Sequence, residues 1–118
     1  MTLIPMDDDR VVAVRIDGTV REEDVLEMVE VVEDKLTRHE KLRAYVEVEK
    51  FRGIGPQALF EDLKMGLKHW RQFERKAAVI DPTWLGKLVE VVDPLFPWIE
   101  LRAFPFTEKD EAVRWISE

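Results

Sequence analysis

Residues 10–17 read RVVAVRID, and Gly18 and then Thr19-Val20-Arg21-Glu22 follow them. The run of Val and Ile is typical of a mostly buried strand, and a glycine is a common place for such a strand to end. Thr19 and Glu22 match the T-x-x-E pattern of a capping box, which predicts a helix over residues 20–39. A strand that passes directly into a helix indicates the start of a βαβ unit.

The helix predicted over residues 20–39 has one apolar stripe, and its other faces are acidic. Its apolar residues recur at steps of three and four, which places them on one side. They are Val25, Met28, Val29, Val32 and Leu36, and the acidic residues are Glu23, Glu27, Glu30, Glu33 and Asp34. We expect the stripe to pack on the sheet and the acidic side to face outward.

The same alternation of strand and helix continues along the chain. Further strands are predicted at residues 2–5, 42–48, 76–80 and 99–104, and further helices at residues 56–71, 83–95 and 107–116. The expected order is β-β-α-β-α-β-α-β-α within a single domain over residues 1–118. This order predicts an α/β fold with about five strands, mostly parallel, an N-terminal edge strand, four helices and right-handed crossovers.

Composition excludes several classes of protein. The formal net charge of −7 disfavours nucleic acid as a partner, because an acidic surface repels phosphates. There is no cysteine, and two histidines, His39 and His69, are too few for a usual catalytic zinc site. No stretch approaches the roughly 20 apolar residues of a membrane span, and the first residues do not resemble a signal peptide. We therefore expect a cytoplasmic protein without a metal or other cofactor.

Catalytic motifs are also missing from the sequence. There is no G-x-S-x-G, HExxH or Walker motif, and Gly53-Ile54-Gly55 is a lone G-x-G that suits a tight loop before a helix. The carboxylates are expected on solvent faces, and none lies alone on an apolar stripe where a general acid would be expected. The sequence therefore predicts no catalytic residue, and we expect that the protein is not an enzyme.

The helix predicted over residues 56–71 combines an apolar stripe with a basic one. Phe60, Leu63, Leu67 and Trp70 make the apolar stripe; Lys64, Lys68, Arg71 and Arg75, spaced by four, three and four, make the basic one. The basic stripe could contact anionic headgroups or the acidic first helix of a partner. A solvated helix face is the alternative.

The next predicted helix, over residues 83–95, is apolar on more than one side, so a single sheet cannot bury it completely. Its surplus surface must meet another helix, a second copy of the chain or an apolar ligand. A ligand held between these two helices would contact a set of seven apolar residues: Phe51, Phe60, Leu63, Leu67, Trp70, Trp84 and Leu88.

Several short phrases, in this order and spacing, resemble the SpoIIAA-like family, a branch of the STAS/CRAL-TRIO-type α/β domains. They are Phe51-x-Gly53, Leu59-Phe60-Glu61-Asp62, His69, Phe73-Glu74-Arg75-x-Ala77-x-Val79-Ile80-Asp81, Trp84, Pro94-x-Phe96 and Glu100-x-Arg102-x-Phe104. The resemblance covers nearly the whole chain. It implies a STAS-like sheet with helices packed on it and imports no reaction.

The resemblance implies two roles. CRAL-TRIO-type domains hold apolar ligands under a movable helix, which favours a non-catalytic module for a lipid or another apolar small molecule. STAS domains are often protein-interaction modules, which favours a homodimer or a partner protein, as for anti-sigma-factor antagonists. Antagonists of the sporulation type are phosphorylated on a serine after the strand, but residues 49–55 contain no Ser or Thr. A phosphorylation switch at that place is not expected.

Overall fold

The computed structural model describes residues 1–18, 21–51, 72–81 and 100–118. Five strands lie in these ranges: β1 (Thr2–Leu3), β2 (Val11–Gly18), β3 (Leu42–Phe51), β4 (Phe73–Ile80) and β5 (Glu100–Phe104). Two helices are described, α1 (Glu22–Leu36) and α2 (Lys109–Ser117), and a 3₁₀ turn, Phe106–Glu108, leads into α2. The helices predicted over residues 56–71 and 83–95 lie outside the described residues.

The strands form one sheet in the order β1-β2-β3-β4-β5. β1 is antiparallel to β2, with Thr2 opposite Arg15 and Leu3 opposite Val14. The pairs β2–β3, β3–β4 and β4–β5 are all parallel. The prediction of a five-stranded, mostly parallel sheet with an N-terminal edge strand is therefore confirmed.

Several predicted boundaries need correction, among them both ends of α1 and the start of β4. β1 ends at Leu3 instead of residue 5, and β3 extends to Phe51 instead of residue 48. α1 begins at Glu22, not at residue 20, because the Asp24 carboxylate accepts a hydrogen bond of 2.9 Å from the backbone N–H of Arg21, which becomes the N-cap. The helix ends at Leu36, three residues before the predicted end, where Thr37 occupies the C-cap position. β4 begins at Phe73, three residues earlier than predicted, so that Arg75 belongs to a strand.

The two faces of the sheet carry separate apolar cores because side chains alternate along each strand. The α1 face is formed by Val12, Val14, Ile16, Leu42, Phe73, Ala78 and Ile80 together with Met28 and Val32 of α1. The α2 face is formed by Val11, Ala13, Tyr45, Ala77, Val79 and Phe104 together with Ala112, Trp115 and Ile116 of α2. The apolar stripe predicted for the first helix is confirmed, since Val25, Val29 and Leu36 also pack against the first core.

α1 lies toward the β1–β2 edge of the sheet. The Lys35 ammonium donates hydrogen bonds to the backbone carbonyls of Asp9 (2.9 Å) and Val11 (3.0 Å). An open groove of about 300 Å³ lies between this helix and the first strands, lined by Leu3, Ile4, Pro5, Val11, Val12, Ala13, Val31 and Lys35. Neither α1 nor α2, the helices described, is long and apolar enough to span a membrane.

α2 covers the opposite face and approaches β4 closely. Ala77 and Ala112 are both fully buried, and their small side chains allow the helix backbone to lie near the strand. The Trp115 ring lies 6.1 Å from that of Phe104. The helix predicted over residues 107–116 begins later than expected: Thr107 lies inside the 3₁₀ turn, and Glu108 takes the N-cap position of α2 without a side-chain hydrogen bond.

Candidate functional site

Most residues of the predicted ligand site lie outside the described ranges. This applies to the apolar residues Phe60, Leu63, Leu67, Trp70, Trp84 and Leu88, and to the basic residues Lys64, Lys68 and Arg71. Phe51 is the last residue of β3. Arg75 is the one basic residue of the predicted set that falls within the described part of the chain.

Arg75 contacts other parts of this chain from within β4. Its Nη1 donates a hydrogen bond of 3.1 Å to the Trp115 carbonyl, and its guanidinium lies 5.1 Å above the Trp115 ring. Its Nε is 3.6 Å from a carboxylate oxygen of Glu100. Because β4 already begins at Phe73, the predicted helical stripe does not extend to Arg75.

Three arginines on the α2 face bind the end of α2, and we refer to Arg10, Arg43 and Arg75 as the arginine row. Arg43 lies opposite Arg75 in the sheet, and Arg10 immediately precedes Val11, which lies opposite Arg43. Arg10, Arg43 and Arg75 donate to the carbonyls of Ser117 (3.3 Å), Ile116 (2.9 Å) and Trp115 (3.1 Å), respectively. The last carbonyls of a helix lack partners within it and carry partial negative charge. The arginine row therefore attaches the C-terminal end of α2 to β3, to β4 and to the residue immediately before β2.

A buried carboxylate lies farther along β3 on the same face. Glu47 is only 3% exposed. One of its oxygens is 3.0 Å from the Lys109 ammonium, and the other accepts a hydrogen bond of 3.3 Å from the Arg15 guanidinium. Glu47 thus joins β2, β3 and the first residue of α2.

Tyr45, two residues before Glu47, shares this environment. Burial, followed by the negative charge of Glu47 and a hydrogen bond to it, raises the pKa of Tyr45 to about 12. The phenol therefore stays protonated at neutral pH and does not serve as a base. We interpret Tyr45, Glu47, Arg15 and Lys109 as an ion-paired cluster that stabilises the fold.

Sequence reasoning missed this cluster because alternation in β3 placed Arg43, Tyr45 and Glu47 on the face opposite Leu42, Ala44, Val46 and Val48. We expected carboxylates of this kind to face solvent, but α2 covers that side of the sheet. The apolar residues of α2, Ala112, Trp115 and Ile116, were the available signal, since they required a second apolar surface.

The α1 face of β3 and β5 is less completely covered. Five apolar side chains on this face are only partly buried, and we call them the apolar floor: Ala44, Val46, Val48, Leu101 and Ala103. β3 is a central strand of the sheet, and its side chains on the other face, Arg43, Tyr45 and Glu47, are buried. The two faces of the same strand therefore differ in how well they are covered.

Lys76 lies beside the apolar floor. Its Cα is opposite that of Ala44 in β3 and that of Leu101 in β5. The residue is 4% exposed, and burial lowers the pKa of Lys76 to about 7. A basic nitrogen thus lies within a largely apolar face of the sheet.

No group of three metal-ligating side chains occurs among the described residues. The Nε2 of His39 lies 2.7 Å from the Asp9 carboxylate, which also accepts a hydrogen bond of 3.0 Å from the Arg38 Nε. The hydrogen bond from Arg38, followed by that from His39, holds the pKa of the Asp9 carboxyl well below its usual range. These contacts tie the turn before β2 to the end of α1.

The SpoIIAA-like family model matches residues 11–117. No curated protein and no solved structure was found to match the chain. Because the family match spans nearly the whole chain and includes every described strand from β2 to β5, the chain belongs to the SpoIIAA-like family.

Proposed function

We propose that this SpoIIAA-like domain is a non-catalytic, cytoplasmic binding module that holds an apolar or amphipathic, lipid-like ligand. The ligand would lie on the α1 face, beneath the helices predicted over residues 56–71 and 83–95. The observation that carries the proposal is the apolar floor, because its side chains on a central strand are only partly buried. Apolar surface that the chain leaves accessible is favourably covered by an apolar molecule.

Strand order supports this location. β2, β3, β4 and β5 follow one another across the sheet without reversal, and α1 connects β2 to β3 over one face. Right-handed crossovers, which are nearly universal between parallel strands, would place the next two connections over that same face. In this proposal the predicted apolar stripes, including Phe60, Trp70 and Trp84, would close over the apolar floor.

Mass spectrometry of material extracted from the purified protein tests the proposal directly. We expect a lipid-like molecule to be recovered in roughly stoichiometric amounts, and Ala103→Leu, which fills space on the apolar floor, to reduce the amount. Val113→Leu is a matched control, because Val113 lies on α2 across the sheet and is 37% exposed. The proposal fails if no apolar molecule is recovered and the emptied protein does not bind added dodecanoate or dodecanol.

A second candidate function is a protein-interaction module of the STAS type, acting as a homodimer or on a partner protein. The observation that favours it is the outer side of α1, where Glu23, Glu27, Glu30, Glu33 and Asp34 are exposed and Leu26 is 58% exposed. An acidic surface around an exposed leucine suits association with a basic, partly apolar partner. It would act without the phosphorylated serine of sporulation antagonists, since the chain's one serine, Ser117, lies at the end of α2.

Light scattering at low and high salt distinguishes this second function. A dimer held through α1 should dissociate in Leu26→Asp and in high salt, whereas Val113→Asp should leave it intact. Two results together would contradict this second function. The wild-type chain would be a monomer at every salt concentration, and any protein that it captures would be captured equally by Leu26→Asp.

A further inference from the structure

We infer that β5 pairs edge to edge with β5 of a second copy of this chain, in the antiparallel register that places Glu100 opposite Arg102 of the other copy. The two sheets would then form one continuous sheet. The inference goes beyond the proposed ligand and uses a surface other than the outer side of α1. It follows from the position of β5, the exposure of its charged side chains and their order along the strand.

Among the described strands, β5 is paired on one side only. It is the last strand in the sheet order, and β4 lies on its inner side. An edge strand presents backbone N–H and C=O groups to any second strand that aligns with it. β5 has five residues, whereas β1 at the other edge has two. β5 is therefore the edge better suited to pairing.

Two charged side chains of β5 are exposed on the α2 face. The Glu100 side chain is 64% exposed, and Arg102 is exposed as well. The Arg102 guanidinium lies over the rings of Trp115, at 5.6 Å, and Phe104, at 5.8 Å. Stacking engages the flat face of a guanidinium and leaves its N–H donors, which lie in the plane, able to meet an acceptor.

The order of the charges selects one register. When two copies of a strand pair antiparallel about a two-fold axis perpendicular to the sheet, one residue lies opposite its own counterpart. Centring on Glu100 would oppose two carboxylates and centring on Arg102 two guanidiniums, and like charges directly opposite each other are destabilising. Centring on Ala103 would bring no opposite charges together. Centring on Leu101 pairs Glu100 of each copy with Arg102 of the other.

In this register Glu100 would lie between two guanidiniums. Within its own copy, its carboxylate oxygen is 3.6 Å from the Nε of Arg75, its neighbour in β4. Arg102 of the second copy would approach from the other side, so that the charges alternate across the seam. Two-fold symmetry forms this arrangement twice, and a network of charges contributes more than an isolated exposed pair. The β5 edge is thus complementary to itself in backbone hydrogen bonding and in charge.

Charge reversal tests the register. We expect sedimentation equilibrium to show that the wild-type protein is a dimer that weakens with added salt. Glu100→Arg and Arg102→Glu should each weaken dimerisation at least about tenfold, because each places like charges opposite each other twice. An equimolar mixture of the two variants should recover the dimer, since every arginine at the seam then faces a glutamate. This recovery also shows that both variants are folded.

Glu111→Arg and Arg114→Glu are the matched controls. Both residues are exposed in α2, and the substitutions make the same changes of charge as those in β5. Each control variant should keep the wild-type dimer affinity.

A cysteine at the two-fold axis gives an independent measurement. The chain has no cysteine, so Leu101→Cys, which would lie opposite its own counterpart, should form a disulfide between copies on mild oxidation. Ala103→Cys is the control, because in this register the two introduced thiols would be separated along the strands beyond the reach of a disulfide.

A wild-type protein that stays monomeric at every concentration would overturn the inference. A dimer that survives both charge reversals, or a mixture of the two variants that stays monomeric, would do the same. Equal cross-linking of the two cysteine variants would show that the register is wrong. A dimer that dissociates in Leu26→Asp but not in the charge-reversal variants would place the interface on α1 instead. The proposed ligand is tested separately, by extraction, and stands or falls independently of these results.

Discussion

Glu47 is buried as an anion because two cations reach it from different elements. Arg15 approaches from β2 and Lys109 from the start of α2, and both side chains keep part of their surface in water while Glu47 has almost none. A carboxylate removed from water in this way is tolerated only when its oxygens are paired. These ion pairs of Glu47 therefore fix the positions of β2, β3 and α2 relative to one another.

Replacing Glu47 by glutamine removes the charge and leaves the shape nearly unchanged. We expect Glu47→Gln to lower the free energy of unfolding by about 1–3 kcal/mol, because two cations lose their anionic partner but remain partly hydrated. Denaturant unfolding measures this. Glu49→Gln is the control, since Glu49 is 40% exposed and its oxygen is 3.9 Å from the Arg15 Nε; equal losses in the two variants would contradict the role given to Glu47.

Because of Tyr45, the free energy of unfolding varies with pH in the alkaline range. Its pKa is about 12 in the folded protein and about 10 in the unfolded chain. Between these values the unfolded chain releases the phenolic proton while the folded protein retains it, so stability falls as pH rises from about 10 to 12. The free energy of unfolding lost over this pH range is about 3 kcal/mol in total.

Tyr45→Phe should lose this part of the alkaline decline and no other. We expect the difference in unfolding free energy between wild-type protein and Tyr45→Phe to shrink steadily above pH 10, as measured by urea unfolding at a series of pH values. A constant difference up to pH 11.5 would show that the phenol titrates normally in the folded protein.

At the scale of elements, α2 depends on its surroundings for stability. A helix of nine residues is not stable alone in water, and its first turn has no side-chain cap. Its apolar residues supply packing, and the arginine row supplies partners for its last carbonyls. The C-terminal turn of α2 is therefore more stable than expected for the end of a nine-residue helix.

Arg43→Met tests this anchor. The Arg43 side chain is nearly buried and donates both to the Ile116 carbonyl and to Glu74, at 2.9 Å each. We expect a loss of about 2 kcal/mol and faster amide hydrogen exchange concentrated in residues 113–117.

Arg38→Met is the matched control for that change. Arg38 is half-exposed on the surface and pairs with Asp9 and Asp34, and exposed ion pairs contribute little to stability. Exchange in α2 that stays at the wild-type rate in Arg43→Met would show that the arginine row does not hold the helix end.

The sequence correctly predicted the buried side of those elements whose own residue spacing shows which side is apolar. The three- and four-residue recurrence from Val25 to Leu36 and the alternation from Leu42 to Val48 each identified the side that packs on the α1 face. The start of α1 was misplaced because Thr19-x-x-Glu22 and Arg21-x-x-Asp24 compete as caps within three residues of each other. The start of β4 was misplaced because Glu74 and Arg75 have low strand propensity, and pairing with β3 and β5 outweighed it.

At the scale of the whole molecule, the two cores share the strands that separate them. β2, β3 and β4 contribute side chains to both faces, and α1 and α2 contribute to one each. Loss of packing on one face should therefore weaken the other, and we expect a single cooperative transition.

Substitutions on opposite faces test this coupling. Trp115→Ala, on the α2 face, should cost about 3–5 kcal/mol and Met28→Ala, on the α1 face, about 2–5 kcal/mol. In both variants unfolding followed by far-ultraviolet circular dichroism and by hydrogen exchange of the opposite helix should give one midpoint. Separate midpoints for α1 and α2 would show that the cores are independent.

The candidate site was less predictable than the fold because its parts come from distant segments. Lys76 looked like the first residue of a short apolar strand, and only the register with Ala44 and Leu101 places it at the centre of a sheet face. Arg75 looked like the end of a helical stripe, whereas pairing with β3 makes it a strand residue whose guanidinium reaches α2. Such contacts depend on which strands lie next to one another in the sheet, and local sequence patterns do not reveal that strand order.

The hydrogen bonds of the arginine row also depend on the alignment of the strands. Three consecutive carbonyls at the end of α2 accept hydrogen bonds from Arg10, which immediately precedes β2, from Arg43 in β3 and from Arg75 in β4. The three contacts can form together only when these strands are in their native alignment. A strand that slipped by one residue would turn its arginine to the other side and leave a carbonyl without its donor. α2 therefore packs with all three of these end carbonyls satisfied only on a correctly aligned sheet, so its docking disfavours misaligned strand pairings.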